Sequence, residues 1–197
     1  IHGSVLYCGG TKGFIPEPSR CVNRFFTEYY VFIMSTPAPY RVLFVCLGNI
    51  CRSPAAEIIF NAVAAEEGLA GLVQADSCGT ASYHTGSRPD RRMLAALERA
   101  GYTYGGHRAR TFHRADFSEF DLIVPQDDDN YENVISLADS PEEMAKVVPM
   151  SAWFADDCPL HAVPDPYYGG QEGFDQVVQL LTTATRQMAS DIARAES

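Results

Sequence analysis

The 197 residues carry 25 acidic and 15 basic side chains, a formal charge of −10, in a composition 46% apolar and 20% charged. That make-up suits one globular domain with a real core, and no apolar run approaches the roughly 18–20 residues needed to cross a bilayer. The charge argues against broad binding to nucleic acid or anionic membrane, whose phosphates are held by many Lys and Arg.

Residues 1–38 read as an N-terminal extension outside the fold, and 39–197 as the domain. Residues 25–33 are apolar but interrupted by Glu28, with no small-residue cleavage site, so a secretory signal is disfavoured. From residue 41 strand and helix patterns alternate. Residues 41–46 (RVLFVC) are β-branched and aromatic, as in a strand buried on both faces. Gly48-Asn49 closes that strand with a turn. Ser53 as N-cap and Pro54 at the first helical position open a helix over 55–67, ended by Gly68. Residues 71–76 predict a second strand. Residues 89–100 predict an Arg-rich amphipathic helix stopped by Gly101. A third strand falls at 121–124 and a helix at 128–138. Residues 147–150 predict a fourth strand, at an edge because of Pro149. The last helix spans 173–195, with Val177, Leu180, Leu181, Ala184 and Met188 at 3–4 spacing. Such alternation implies a parallel α/β sheet that binds ligands at the carboxyl ends of its strands.

The six cysteines are too sparse for a disulfide-stapled scaffold. They form no Cys-x-x-Cys pair, and no zinc site has a signature. Thiols in a reducing cytoplasm are expected.

Chemistry concentrates where the first strand ends, in Cys46-Leu47-Gly48-Asn49-Ile50-Cys51-Arg52-Ser53. Gly48 and Asn49 tolerate positive φ, so the loop can curl and aim successive N–H groups at one point. A nest at a helix N-terminus is shaped for phosphate. The Arg52 fork can take two phosphate oxygens. Cys46, on the floor of that positive field, is placed to become a thiolate nucleophile. Ser53 can donate to its sulfur. A buried structural Cys is the plainer alternative, made less economical by the strand–loop–helix setting.

Extended to VLFVCLGNICRSPAAE over 42–57, this segment closely resembles the low-molecular-weight protein tyrosine phosphatase family. The resemblance continues at Asp76-Ser77, Gly79-Thr80, Gly86 with Pro89-Asp90, His107-Arg108-Ala109-Arg110, Asp121-Leu122-Ile123 and Asp165-Pro166-Tyr167-Tyr168-Gly169. It implies a three-layer α/β fold with a four-stranded parallel sheet flanked by helices. The implied reaction is hydrolysis of phosphotyrosine through a phosphocysteine intermediate, with no cofactor and no metal. Cys46 then resembles the nucleophile, Arg52 the phosphate clamp and Asp165 the general acid. Leu47, Gly48, Asn49, Ile50, Cys51 and Ser53 would complete the phosphate loop. Tyr83, Tyr167 and Tyr168 would wall the substrate ring, and Ser77 and His107 would hold Asn49. In the family a Cys at position 51 can form a reversible disulfide with the nucleophile. The implied partner is a tyrosine-phosphorylated protein or peptide, with a tyrosine kinase as counterpart. A cytoplasmic bacterial monomer is expected.

Two positions depart from the family pattern: Pro125-Gln126 before Asp127, and Tyr83 where Trp is commoner. Both bear on substrate preference more than on reaction type. A thioredoxin-coupled arsenate reductase would need two further cysteines after the third strand, and 124–137 holds none. Protein arginine phosphatases carry Thr where this chain has Ile50. A binding-only module would be expected to lose Cys46 or Asp165. A P-loop ATPase would need Gly-Lys-Ser/Thr in the loop.

Seven arginines lie between Arg88 and Arg114, with only Asp90 and Glu98 as acids in that stretch. The plain reading is a solvated face offset by acids elsewhere, Asp127-Asp128-Asp129 among them. The alternative is a patch that attracts acidic or phosphorylated partners.

Overall fold

A computed structural model of the protein describes residues 39–194, so the extension expected over 1–38 lies outside the described residues. In chain order the elements are β1 (Tyr40–Cys46), α1 (Arg52–Glu66), β2 (Val73–Gly79), α2 (Arg91–Arg99), α3 (Asp116–Glu119), β3 (Leu122–Pro125), α4 (Asp128–Ile135) and α5 (Pro141–Ala145). A 3₁₀ turn at Met150–Trp153 and the long helix α6 (Gln171–Arg194) complete them.

The strands form a parallel sheet in the order β2-β1-β3. β1 is central, which explains its uninterrupted apolar run: side chains alternate between the faces of a strand, and both faces are covered. Val42 and Phe44 join Ile59 and Phe60 of α1, Met93 of α2, Trp153, and Phe174 and Leu181 of α6. Leu43 and Val45 point the other way, into Phe112, Phe117, Phe120, Ile123, Val134 and Val147. Helices therefore cover both faces, the three-layer arrangement expected.

Three expectations are corrected. The fourth strand at 147–150 is only a single parallel bridge, Ile123 with Val147. Val148 donates to the Ile123 carbonyl, but the next bond in this register needs an N–H at residue 125, which is Pro125, and past Pro149 the chain turns into the 3₁₀ helix. The second strand begins at Val73 rather than 71 and runs on to Gly79, carrying Ser77 and Cys78 to the same sheet edge as Cys46. Ser53 is not an N-cap: α1 begins at Arg52, and Cys51 in the cap position makes no side-chain cap bond. The Ser53 hydroxyl is used elsewhere.

What matters for function is that β1 ends at Cys46, β2 at Gly79 and β3 at Pro125, so their carboxyl ends converge on one edge.

Candidate active site

Cys46 is the last residue of β1 and Arg52 the first of α1, so five residues make the whole turn between strand and helix. The turn closes through Asn49, which has φ +53°, a conformation most side chains avoid at a cost of about 1–2 kcal/mol. Its amide offsets that strain with four bonds. Nδ2 donates to Ser53 Oγ at 3.0 Å and to Ser77 Oγ at 2.9 Å. Oδ1 accepts from His107 Nε2 at 3.1 Å and from the Arg110 N–H at 2.8 Å. Every donor and acceptor of the side chain is therefore satisfied. Ser77 in turn donates to Glu57 Oε2 at 2.6 Å, and His107 Nδ1 lies 3.0 Å from the same oxygen.

The packing beneath the loop is equally tight. A Cβ added to Gly79 would lie 2.6 Å from the Leu47 carbonyl oxygen, and one added to Gly48 would lie 2.9 Å from the His84 ring. Neither position has room for a side chain without displacement.

Two donors converge on the Cys46 sulfur: the Asn49 N–H at 3.3 Å and the Ser53 hydroxyl at 3.0 Å. Ser53 Oγ also sits 3.0 Å from the Cys78 carbonyl, so its single proton is shared between that oxygen and the sulfur. Donors aimed at a sulfur favour negative charge on it. Around it, the backbone N–H groups of Leu47, Gly48, Ile50, Cys51 and Arg52 donate to no acceptor among the described residues. A ring of unspent N–H groups opening a helix is an anion cradle.

Arg52 is 4% exposed and braced from behind. Its Nη1 donates to Asp127 Oδ2 and, at 3.2 Å, to the Val163 carbonyl. Its Nη2 lies 3.3 Å from Asp165 Oδ2. Burial by itself would lower the pKa of this guanidinium. Cys46, Asp127 and Asp165 around it outweigh that and hold the pKa above its ordinary value. Asp165 comes from the loop before α6, tied to β3 by the Val163 N–H donating to the Gln126 carbonyl at 2.8 Å. Its other oxygen accepts the Tyr167 N–H at 3.1 Å.

Tyr167 and Tyr168 meet edge to face, with ring centroids 5.1 Å apart, and the Arg92 guanidinium lies over Tyr167. Tyr83 is edge-on to His84, which itself packs on Gly48. All three are exposed, Tyr168 almost completely. Cys51 is buried, and burial followed by the Asp90 charge pushes its thiol well above the ordinary range. Cys46 and Cys51 are both free thiols.

Three contributors escaped the sequence reading. Asp127 was assigned to offset surface arginines, yet it braces Arg52; its place just past the carboxyl end of β3 was the available signal. Glu57 lies inside the motif but had no stated role. The Asp90 N–H holds the loop through the Ile50 carbonyl at 2.8 Å. Glu57, Asp76 and His107 are close enough to gather around a cation. Each is already engaged, Asp76 with Arg110 and the others with the Asn49 network.

The sequence model of the low molecular weight phosphotyrosine protein phosphatase family matches residues 41–197, which includes every group described above. The chain belongs to that family. It is a phosphatase of the protein-tyrosine class. It is 46% identical over 154 residues to the Synechocystis protein slr0328, named for the same enzyme class, a match covering 78% of this chain and 97% of that one. The fold of this phosphatase superposes on the crystal structure of YfkJ from Bacillus subtilis with a TM-score of 0.75 at 36% identity. That match covers 81% of this chain and 98% of the other. A protein tyrosine phosphatase from Entamoeba histolytica, solved with Hepes in its active site, gives a TM-score of 0.75 at 35% identity, over 80% of this chain and 99% of that one. No helix among the described residues is long and apolar enough to cross a membrane.

Proposed function

We propose that this phosphatase hydrolyses phosphotyrosine in two displacements, with Cys46 as nucleophile, Arg52 as phosphate clamp and Asp165 as the proton carrier. The observation that carries the reading is convergence. One sulfur with two donors on it, a ring of unspent N–H groups, a braced guanidinium and a carboxylate meet at the carboxyl end of β1.

The phosphate dianion enters the cradle and takes the N–H groups of the loop. Arg52 Nη1 stays with Asp127 and Val163, and the remainder of the fork turns from Asp165 to the phosphate oxygens. In the first step a lone pair of Cys46 Sγ attacks phosphorus as the bond from phosphorus to the phenolic oxygen breaks. Asp165 delivers a proton to that oxygen, so tyrosine leaves neutral. In the second step water attacks the phosphocysteine and gives its proton to Asp165. The P–S bond breaks, the electron pair returns to sulfur, and Ser53 Oγ–H supports the charge that reappears there. Asn49, held at positive φ by Ser77 and His107, keeps the loop in the shape that both steps require.

Exposed Tyr83 on one side and Tyr167 and Tyr168 on the other fit the walls of a slot for a phenyl ring. The substrate is accordingly a tyrosine-phosphorylated protein or peptide, and a tyrosine kinase is its functional counterpart. Cys51, one turn of loop away from Cys46, is the partner for a protective disulfide.

The test is hydrolysis of para-nitrophenyl phosphate and of a phosphotyrosine peptide, in reductant and EDTA. Wild type should turn over both. Cys46→Ser should be inactive, and Asp165→Asn should lose about 10²–10⁴-fold on the peptide, with less loss on the nitrophenolate, a better leaving group. Folded wild type inactive on both would contradict the reading.

A further inference from the structure

The seven arginines between Arg88 and Arg114 divide cleanly in the structure. Arg92 pairs with Asp90, Arg99 with Asp175, Arg110 with Asp76 and Asp116, and Arg114 with Asp139 and Glu143. Asp127 goes to Arg52, and neither Asp128 nor Asp129 pairs with any of the seven. The offsetting acids expected from the sequence thus reach only four arginines. Arg88, Arg91 and Arg108 are exposed and have no acidic partner among the described residues. The other eight described arginines are all paired.

Their placement follows from the backbone. Arg91 adjoins Asp90, whose N–H bonds the Ile50 carbonyl of the phosphate loop. Arg88 is two residues before Asp90, its guanidinium lying over the Tyr104 ring at 5.1 Å. Arg108 is two residues before Arg110, whose N–H bonds Asn49. The two strips that carry them are zipped together, since Ala109 N–H donates to Ser87 and Gly86 N–H to Ala109. The three cations therefore lie on two strips that are bonded to the phosphate loop and form one flank of it. Asp90 adds no uncompensated charge there, because Arg92 neutralises it.

A local excess of three positive charges beside the phosphate loop, in a chain of net charge −10, attracts anionic chain to that flank. A phosphotyrosine seated in the cradle carries its chain neighbours across that flank, three residues spanning about 10 Å. We infer that Arg88, Arg91 and Arg108 form a specificity surface that selects phosphotyrosines flanked by Asp and Glu. This inference rests on the phosphotyrosine reading above and names the substrate class within it. Arginine suits the task, because its fork meets a carboxylate with two parallel bonds and its charge is fixed at every working pH.

Each exposed pair of this kind is worth about 1.5- to 5-fold, and three together about tenfold. The experiment compares kcat/KM on two phosphotyrosine peptides of equal length, one flanked by Glu and one by Gln, at low and high salt. Para-nitrophenyl phosphate serves as a third substrate without flanking residues. Wild type should prefer the Glu peptide by about tenfold at low salt, and the preference should shrink as salt screens it. The triple variant Arg88→Ala, Arg91→Ala, Arg108→Ala should treat the two peptides alike, while the corresponding triple Lys variant should keep most of the preference. Two results would overturn the inference with the phosphatase reading intact: equal wild-type kcat/KM on both peptides, or a preference that survives the triple Ala change. Folded wild type inactive on all three substrates would instead remove the phosphatase reading, and this inference with it. The salt series on wild type decides the matter even if the triple Ala variant does not fold.

Discussion

Arg52 Nη2 lies 3.3 Å from Asp165 Oδ2, an ion pair across 113 residues of sequence that joins the start of α1 to the loop before α6. On the proposed mechanism that nitrogen turns to the phosphate, so a phosphate dianion and the Asp165 carboxylate compete for one cation. Removing the carboxylate charge should free the fork. Asp165→Asn is expected to bind inorganic phosphate about three- to tenfold more tightly as a competitive inhibitor, even as turnover collapses. Competition kinetics against para-nitrophenyl phosphate checks both, and weaker phosphate binding would contradict it.

Asp127 holds the Arg52 guanidinium at Nη1, the nitrogen that does not meet Asp165. Without that carboxylate charge the fork remains but its aim relaxes, and misplacement by about 1 Å can cost on the order of 100-fold. Asp127→Asn should therefore lower kcat/KM by about 10- to 100-fold with the nucleophile and acid untouched. Steady-state kinetics on the phosphotyrosine peptide gives the number. A loss under about twofold would mean that Val163 alone suffices as the brace.

Asn49 at φ +53° is held through Ser77 and His107. Ser77→Ala removes one of the four bonds and should reduce kcat by about tenfold, with a smaller change in KM. Asn49→Ala removes all four and leaves the strain, so a loss of about 100-fold or more is expected. Thermal unfolding run alongside separates loop geometry from global stability. Ser77→Ala should move Tm by only a few degrees.

The Asp90 side chain accepts from Arg92, both at its backbone N–H and at its guanidinium, and caps α2. That bonding, chiefly the side-chain bond to Arg92, holds its carboxyl below the usual carboxylate range. A carboxylate with a depressed folded pKa stabilises the native state above its unfolded pKa of about 3.9. The contribution is lost as pH falls through the folded value. Asp90→Asn keeps a capping side chain but not the charge. It should be less stable than wild type at pH 7 by under about 1 kcal/mol, with the gap closing below about pH 4. Urea unfolding at pH 7 and in acid measures it, and a gap independent of pH would rule out a charge effect.

Much of this arrangement was legible from residue patterns, and the gaps have physical causes. The β1 run, the loop and the presence of a helix after it could be read because local constraints decide them: an apolar strand, turn-prone Gly48-Asn49, and Pro54 near a helix start. The existence of α6 followed from its 3.6-residue period, although it opens at Gln171 rather than 173. The strand expected at 147–150 failed because one long-range fact, that Pro125 of β3 faces the Val148 carbonyl with no N–H to offer it, outweighs local β preference. Ser53 was read both as a cap and as a donor to the Cys46 sulfur; the cap reading fails because sequence does not show that the helix opens one residue earlier, at Arg52, leaving the hydroxyl 3.0 Å from the sulfur. Asp127 was missed for the same reason: in a run of three aspartates nothing local distinguishes the one that β3 aims at Arg52. The short helices α3 and α5 span too few residues to show a period.

The central claim is that phosphate passes through Cys46. Mixing enzyme with excess para-nitrophenyl phosphate, quenching in acid within the first turnovers and mapping the digest by mass spectrometry tests it directly. The account predicts one phosphoryl group on the peptide that carries Cys46, in greater yield in Asp165→Asn, where water attack is slowed, and none in Cys46→Ser. Steady turnover with no phosphoryl on Cys46, or with phosphoryl on another residue, would contradict it.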